Sequence, residues 1–261
     1  MATHKIAIAA VFVALTIGSA AESQAQLWQP YFEMEGRGTS LRAVSQGHLM
    51  VPLKEDCESL LFADIRTVWS ERGATEGNWG LVYRRMVSDC AVVGVYGFYD
   101  YRETEFDNDF GQGAFGAELL GCDWGARLNG YIPDNDVVAT PRANRAIVQG
   151  GTIVVQQGLE AAYYGVDFEY EKMLWGQCCC DAGWLQDVEL WATAGGFYFD
   201  QDDNRFEEIA GPRLRAEMRV FDLPVLGCGS RVVLSGMYEY DEVRGSVGTG
   251  ALTVRIPFVR G

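Results

Sequence analysis

Arg213-Leu214-Arg215-Ala216-Glu217-Met218-Arg219-Val220 sets a charged side chain against an apolar one at every step. A period of two is the signature of an extended strand, whose successive side chains point to opposite faces. A helix would scatter both kinds over every face. Working outward, the alternation recurs. Val166, Phe168 and Tyr170 stand against Asp167, Glu169 and Glu171; Leu252, Val254, Ile256 and Phe258 against Thr253 and Arg255; Leu61, Ala63, Ile65 and Thr67 against Asp64 and Arg66. In all, segments 28–36, 46–53, 58–68, 77–86, 91–101, 111–120, 124–132, 163–173, 188–200, 211–221, 230–240 and 248–258 read as strands. Each is about as long as a tilted membrane strand requires, and their even number lets both chain ends share one side.

The first 25 residues are expected to lie outside this fold. Lys5, the apolar run 6–17 and a small-x-small end at Ser23-Gln24-Ala25 read as a cleaved secretory signal, too short in its apolar part to span a bilayer. That leaves about 236 residues, 26–261, for one domain. Mean hydropathy is near zero, and Gly (31) and aromatics (12%) are high while Pro is 7. Composition therefore suits an antiparallel sandwich as well as a barrel. The net charge of −15 argues against nucleic acid as a partner, because no basic patch is present to neutralise phosphates.

Three features favour the barrel. The apolar faces mix small and large residues, as with Gly113 and Ala117 around Phe115. Trp69, Trp79, Tyr99, Tyr101, Trp124, Tyr238 and Tyr240 fall near segment ends, where an interfacial girdle would lie. The charged faces carry both signs within one strand, which suits a lumen joined by ion pairs. If the first strand runs outward, 37–45, 69–76, 102–110, 133–162, 201–210 and 241–247 are outer loops, and 54–57, 87–90, 121–123, 174–187 and 222–229 are inner turns. Cys57, Cys90, Cys122, Cys178, Cys179, Cys180 and Cys228 all fall in the inner turns.

Leu60-Leu61-Phe62-Ala63-Asp64-Ile65-Arg66 followed by Glu76-Gly77-Asn78-Trp79-Gly80-Leu81-Val82-Tyr83-Arg84-Arg85 resembles the start of the inverse autotransporter β-domain, the barrel of intimin- and invasin-like adhesins. Gly97-Phe98-Tyr99-Asp100-Tyr101-Arg102, Gly116-Ala117-Glu118 and Arg127-Leu128-Asn129-Gly130-Tyr131-Ile132-Pro133 continue the resemblance, and Gly165-Val166-Asp167-Phe168-Glu169 is a later, weaker block. The resemblance implies a twelve-stranded barrel in the outer membrane. Relatives carry a periplasmic segment before the barrel and a linker and passenger after it. Here few residues precede Trp28 and only Val259-Arg260-Gly261 follow Phe258, so no passenger is expected. The pattern Gly250, Leu252, Val254, Ile256, Phe258 is similar to a recognition signal for the outer-membrane assembly machinery.

The lumen charges Asp64, Arg66, Arg84, Glu118, Arg127, Asp167, Glu169, Arg213, Arg215, Glu217 and Arg255 are the main candidate site. They could line a charge-selective pore or satisfy one another across the lumen; pairing is favoured, because an unpaired buried charge is costly. Disulfides are expected at the inner rim, for instance Cys57 with Cys90, and Cys228 or Cys122 with a member of the triplet. The cysteines lack zinc spacing, His48 is the one histidine after the signal, and the acidic cluster Asp200, Asp202, Asp203 and Asn204 lacks the order of a calcium loop. No metal, cofactor or catalytic residue is expected, since no nucleophile stands beside a histidine base. The reading is a structural barrel or narrow pore, with outer-membrane lipid and the assembly machinery as partners. The alternative is a translocator or anchor for a surface protein encoded separately.

Overall fold

The computed structural model describes residues 29–40, 42–134, 137–149, 152–156, 158–176 and 188–258. The signal segment and the Cys178 to Cys180 triplet lie outside the described residues. Twelve strands close into one antiparallel barrel. They are β1 Tyr31–Thr39, β2 Ala43–Glu55, β3 Ser59–Ser70, β4 Thr75–Ser88, β5 Ala91–Glu103, β6 Asp109–Gly121, β7 Trp124–Pro133, β12 Tyr164–Trp175, β13 Val188–Asp200, β14 Ile209–Phe221, β15 Arg231–Asp241 and β16 Gly245–Pro257. The segments expected from alternation are these strands, to within a few residues at each end. Each strand pairs with the next in sequence, β7 with β12, and β1 with β16 from Tyr31 opposite Pro257 to Thr39 opposite Thr249. Closure leaves no sheet edge exposed.

The connection from β7 to β12, expected as one loop, contains structure of its own. β8 Val137–Ala139 pairs with β11 Leu159–Ala161, and β9 Arg145–Gln149 pairs with β10 Thr152–Gln156. A short 3-10 turn, Pro141–Ala143, joins β8 to β9. Three bulges interrupt the barrel ladders among the described residues, one of them between Met86 and Ser88 of β4. A second falls between Pro52 and Lys54, where a proline cannot donate to a ladder, and a third between Met173 and Trp175.

The sheet is inside out by the standard of a soluble protein. Leu81, Phe115, Leu128 and Leu214 point outward and are 54–56% exposed, while Asp64, Glu118 and Asp167 on the alternate face are buried. That distribution excludes the sandwich, whose apolar face must be covered, and gives the barrel an apolar outer wall. Trp69, Trp79, Tyr99, Tyr238 and Tyr240 are exposed toward the end of the barrel that carries the longer connections. Apolar residues also occur inside. Met50, Leu60, Phe62 and Val82 form a buried cluster in the lumen, with Tyr31, Tyr96 and Phe98 packed against it.

Candidate functional site

The largest set of functional side chains faces the lumen. Arg84 of β4 donates from Nε to Glu118 Oε1 of β6 at 2.6 Å, reaching past β5. Gly94 of β5 permits that reach, since a Cβ there would stand 2.5 Å from Glu118 Oε1. Arg127 of β7 holds the other Glu118 oxygen at 3.4 Å and reaches Glu171 Oε1 of β12 at 3.3 Å. Glu171 lies across Gly125, where a Cβ would come within 2.7 Å of it, and its Oε2 accepts from Arg219 at 3.0 Å. Arg219 also donates to Glu217 at 2.8 Å, and Arg215 meets Glu217 at 2.9 Å and Glu169 at 3.0 Å. Glu169 accepts from Arg213 at 3.0 Å, and Arg213 donates to Glu239 at 2.6 Å. Arg244 closes the series on Glu239 at 3.6 Å and Asp241 at 2.6 Å. From Arg84 to Asp241 the sign alternates at every step, so each buried carboxylate meets the guanidinium that offsets its desolvation.

A second network lies on β1, β2, β3, β15 and β16. Arg66 forks onto Asp64 with bonds of 2.8 and 2.9 Å. His48 sits between two carboxylates, with Nδ1 2.9 Å from Glu33 Oε2 and Nε2 3.2 Å from Asp64 Oδ1. Glu33 Oε1 accepts from Arg231 at 3.0 Å and Arg255 at 2.7 Å. The strand register makes this arrangement: Glu33 pairs with His48 across β1 and β2, and His48 with Arg66 across β2 and β3. Arginines also cap the apolar cluster, Arg84 over the Phe62 ring at 5.2 Å and Arg66 over Phe98 at 4.9 Å. Asp167 is held by neutral donors, Asn129 Nδ2 at 2.7 Å and the Tyr131 hydroxyl at 2.8 Å.

At the rim of the longer connections the lumen opens into a cavity of about 360 Å³ between β4, β5, β6 and the stretch after β11. Glu160 pins that stretch to the β5–β6 turn. Its Oε2 accepts from Thr104 Oγ1 at 2.9 Å, Asn108 Nδ2 at 2.6 Å and Thr140 Oγ1 at 3.3 Å. Gln201 donates to the Ala162 carbonyl at 2.7 Å, and Tyr163 stands edge-on to Phe206.

The structure brings all eleven charges singled out in the sequence to the inner face of the barrel. Sequence reasoning missed Glu33, His48, Glu171, Arg219, Arg231, Glu239, Asp241 and Arg244 as members of the two networks. Glu171 and Arg219 carried the signal, since each shares the parity of its charged neighbours.

The Cys57–Cys90 bond is not made. Both side chains are exposed thiols, and no disulfide forms among the described residues. The register explains it: Ser59 lies opposite Arg85, which sets Cys57 across from position 87, while Cys90 stands three residues further on, in the next turn. Cys122 and Cys228 are exposed at the same rim. Of the acidic cluster, Asp203 is bound by Arg205 at 2.9 Å, a contact that holds its carboxyl down to about 2. Asp200 accepts from the Tyr164 and Tyr198 hydroxyls at 3.0 and 3.3 Å.

Similarity to known proteins bears on the whole barrel. No curated protein matches this sequence. Among solved structures, a membrane protein from a study of in-meso crystallization is 13% identical with a TM-score of 0.60, over 88% of this chain and 85% of that one. An outer membrane channel from Pseudomonas putida is 10% identical with a TM-score of 0.59, over 92% and 98%. The translocator domain of autotransporter NalP from Neisseria meningitidis is 12% identical with a TM-score of 0.46, over 98% and 97%. These likenesses are of fold. The model of the inverse autotransporter β-domain matches residues 20–159, more than half of the sequence. With its twelve-stranded closed barrel and its apolar outer wall, the chain is an outer-membrane barrel that belongs to the inverse autotransporter β-domain family.

Proposed function

We propose that this barrel is a closed structural element of the outer membrane, with a lumen too occupied to carry solutes. The observation behind the reading is the alternating series from Arg84 to Asp241, which ties β4, β6, β7, β12, β14 and β15 together through the interior. The apolar cluster around Phe62 fills part of the remaining space. Side chains can fill a small barrel, whereas a conducting porin keeps an aqueous channel.

Lipid is the partner of the outer wall, and the longer connections face the cell exterior, away from the chain ends. Gly250, Leu252, Ile256 and Phe258 are exposed together on the outer face of the last strand and the residue after it, in keeping with recognition by the assembly machinery during insertion. The test is swelling of liposomes loaded with the folded protein. No swelling with arabinose is expected; swelling at the rate given by a general porin would refute the closed lumen.

A further inference from the structure

We infer that the hairpin of β9 and β10 is a self-association surface, on which β10 of one copy pairs with β10 of a second copy of this chain. Each of the twelve barrel strands has a partner on both sides, and the three-residue strands β8 and β11 pair with each other. β9 and β10 are longer, at five residues each. They pair from Gln149 opposite Thr152 to Arg145 opposite Gln156, and with no other strand among the described residues. In an antiparallel ladder every second residue turns its N–H and C=O away from its partner, so each of these strands keeps an open edge. Ile153 of β10 is 71% exposed. A two-stranded hairpin is marginal on its own in water, and added strands stabilise it.

The sequence of the hairpin says what completes the sheet. β10 reads Thr152-Ile153-Val154-Val155-Gln156, β-branched from Thr152 to Val155, with no charge and no proline. Such a segment pairs well with a copy of itself, because every outward backbone group finds a counterpart and no like charges are set opposite each other. β9 opens with Arg145, and a charge on an edge strand blunts it, which directs the pairing to β10. Charge elsewhere points the same way. The chain carries a net −15, and the connection between β13 and β14 holds Asp202, Asp203, Glu207 and Glu208 against Arg205 alone. Two copies therefore repel each other over the acidic part of this end. From Ala146 to Leu159 no residue is charged. β10 is thus where two copies meet with little repulsion, and a two-fold axis at Val154 aligns the strand with its counterpart in full. The product is one sheet of four strands, β10 beside β10 at its centre and β9 on each flank.

Sedimentation velocity of the whole barrel, folded in a non-ionic detergent, tests this. A reducing agent keeps the exposed thiols from linking copies. A reversible monomer–dimer equilibrium is expected, tighter as salt rises because screening weakens the repulsion between acidic loops. Ile153→Lys, which puts a charge on each paired edge, should weaken the dimer roughly tenfold or more. A Gly-Ser stretch of equal length in place of residues 145–156 should remain monomeric. Heat-modifiable gel mobility reports that each variant is folded. Monomers at every concentration, a dimer that survives both variants, or a dimer that dissociates as salt rises would each overturn the surface. Liposome swelling reads the lumen and not this edge, so an open lumen and a solitary hairpin are separable failures.

Discussion

The two sides of the lumen are filled by different chemistry. On the side of β1 to β5, Met50, Leu60, Phe62 and Val82 pack with Tyr31, Tyr96 and Phe98 into an apolar mass beside the His48, Asp64 and Arg66 contacts. On the side of β12 to β15, Glu169, Glu171, Arg213, Arg215, Glu217 and Arg219 pair in alternation. An apolar wall closes space by volume and tolerates a shortened side chain at the cost of a cavity. An ionic wall closes space by pairing, and deleting one member strands its partner. Arg84 belongs to both, bound to Glu118 and lying over Phe62.

That contrast can be broken at four points. Glu118→Ala should be the costliest single change, because it leaves Arg84 and Arg127 without their shared carboxylate; a loss of about 3–4 kcal/mol is expected from breaking a buried pair. The urea midpoint of barrel unfolding, followed by gel mobility, measures it. Phe62→Ala should cost about 3 kcal/mol by leaving a cavity. Because Arg84 touches both residues, the double variant should fall short of the sum of the two losses; strict additivity would show that the walls are independent. Gly94→Val should cost about 1–3 kcal/mol by forcing Glu118 aside. Gly250→Val, on the outer face with nothing within 4 Å, should leave the midpoint unchanged.

The smallest effect belongs to Arg205→Ala in the exposed loop, where no change in the midpoint is expected. In the intact protein Asp203 is held down to about 2 by Arg205. The contact is therefore present above the usual carboxylate range and lost as pH falls through about 2. In the variant, an NMR titration should find the Asp203 carboxyl raised relative to the intact protein, while the backbone N–H of residue 205, 3.0 Å from Oδ1, still holds it below the ordinary carboxylate range.

The twelve strands were legible because a barrel with an apolar outer face and a charged inner one keeps strict alternation. Leu214 and Arg215 declare opposite faces without any knowledge of a partner strand. The inner apolar cluster was harder to see. Leu60 and Phe62 share the parity of Asp64, yet a reading that assigns apolar residues to lipid and charges to the lumen has no place for apolar residues within. His48 was similarly hidden. In sequence it stands alone, and only the register across β1, β2 and β3 puts Glu33 and Asp64 on its two nitrogens. Pairing across non-adjacent strands, as between Arg84 and Glu118, depends on Gly94 lying between them. Glycine at such a position reads in sequence as a small residue and no more. The mouth cavity was not legible at all, because it is made where the chain after β11 returns over β4 to β6.

Conductance of single barrels in planar lipid bilayers probes the closed lumen most directly. Insertion of the wild type should produce no steps above the baseline, whereas the Glu118→Ala/Glu171→Ala double variant, which cuts the ionic series at two nodes, should produce discrete steps. Wild-type steps as large as those of the variant would contradict a lumen closed by its own charges.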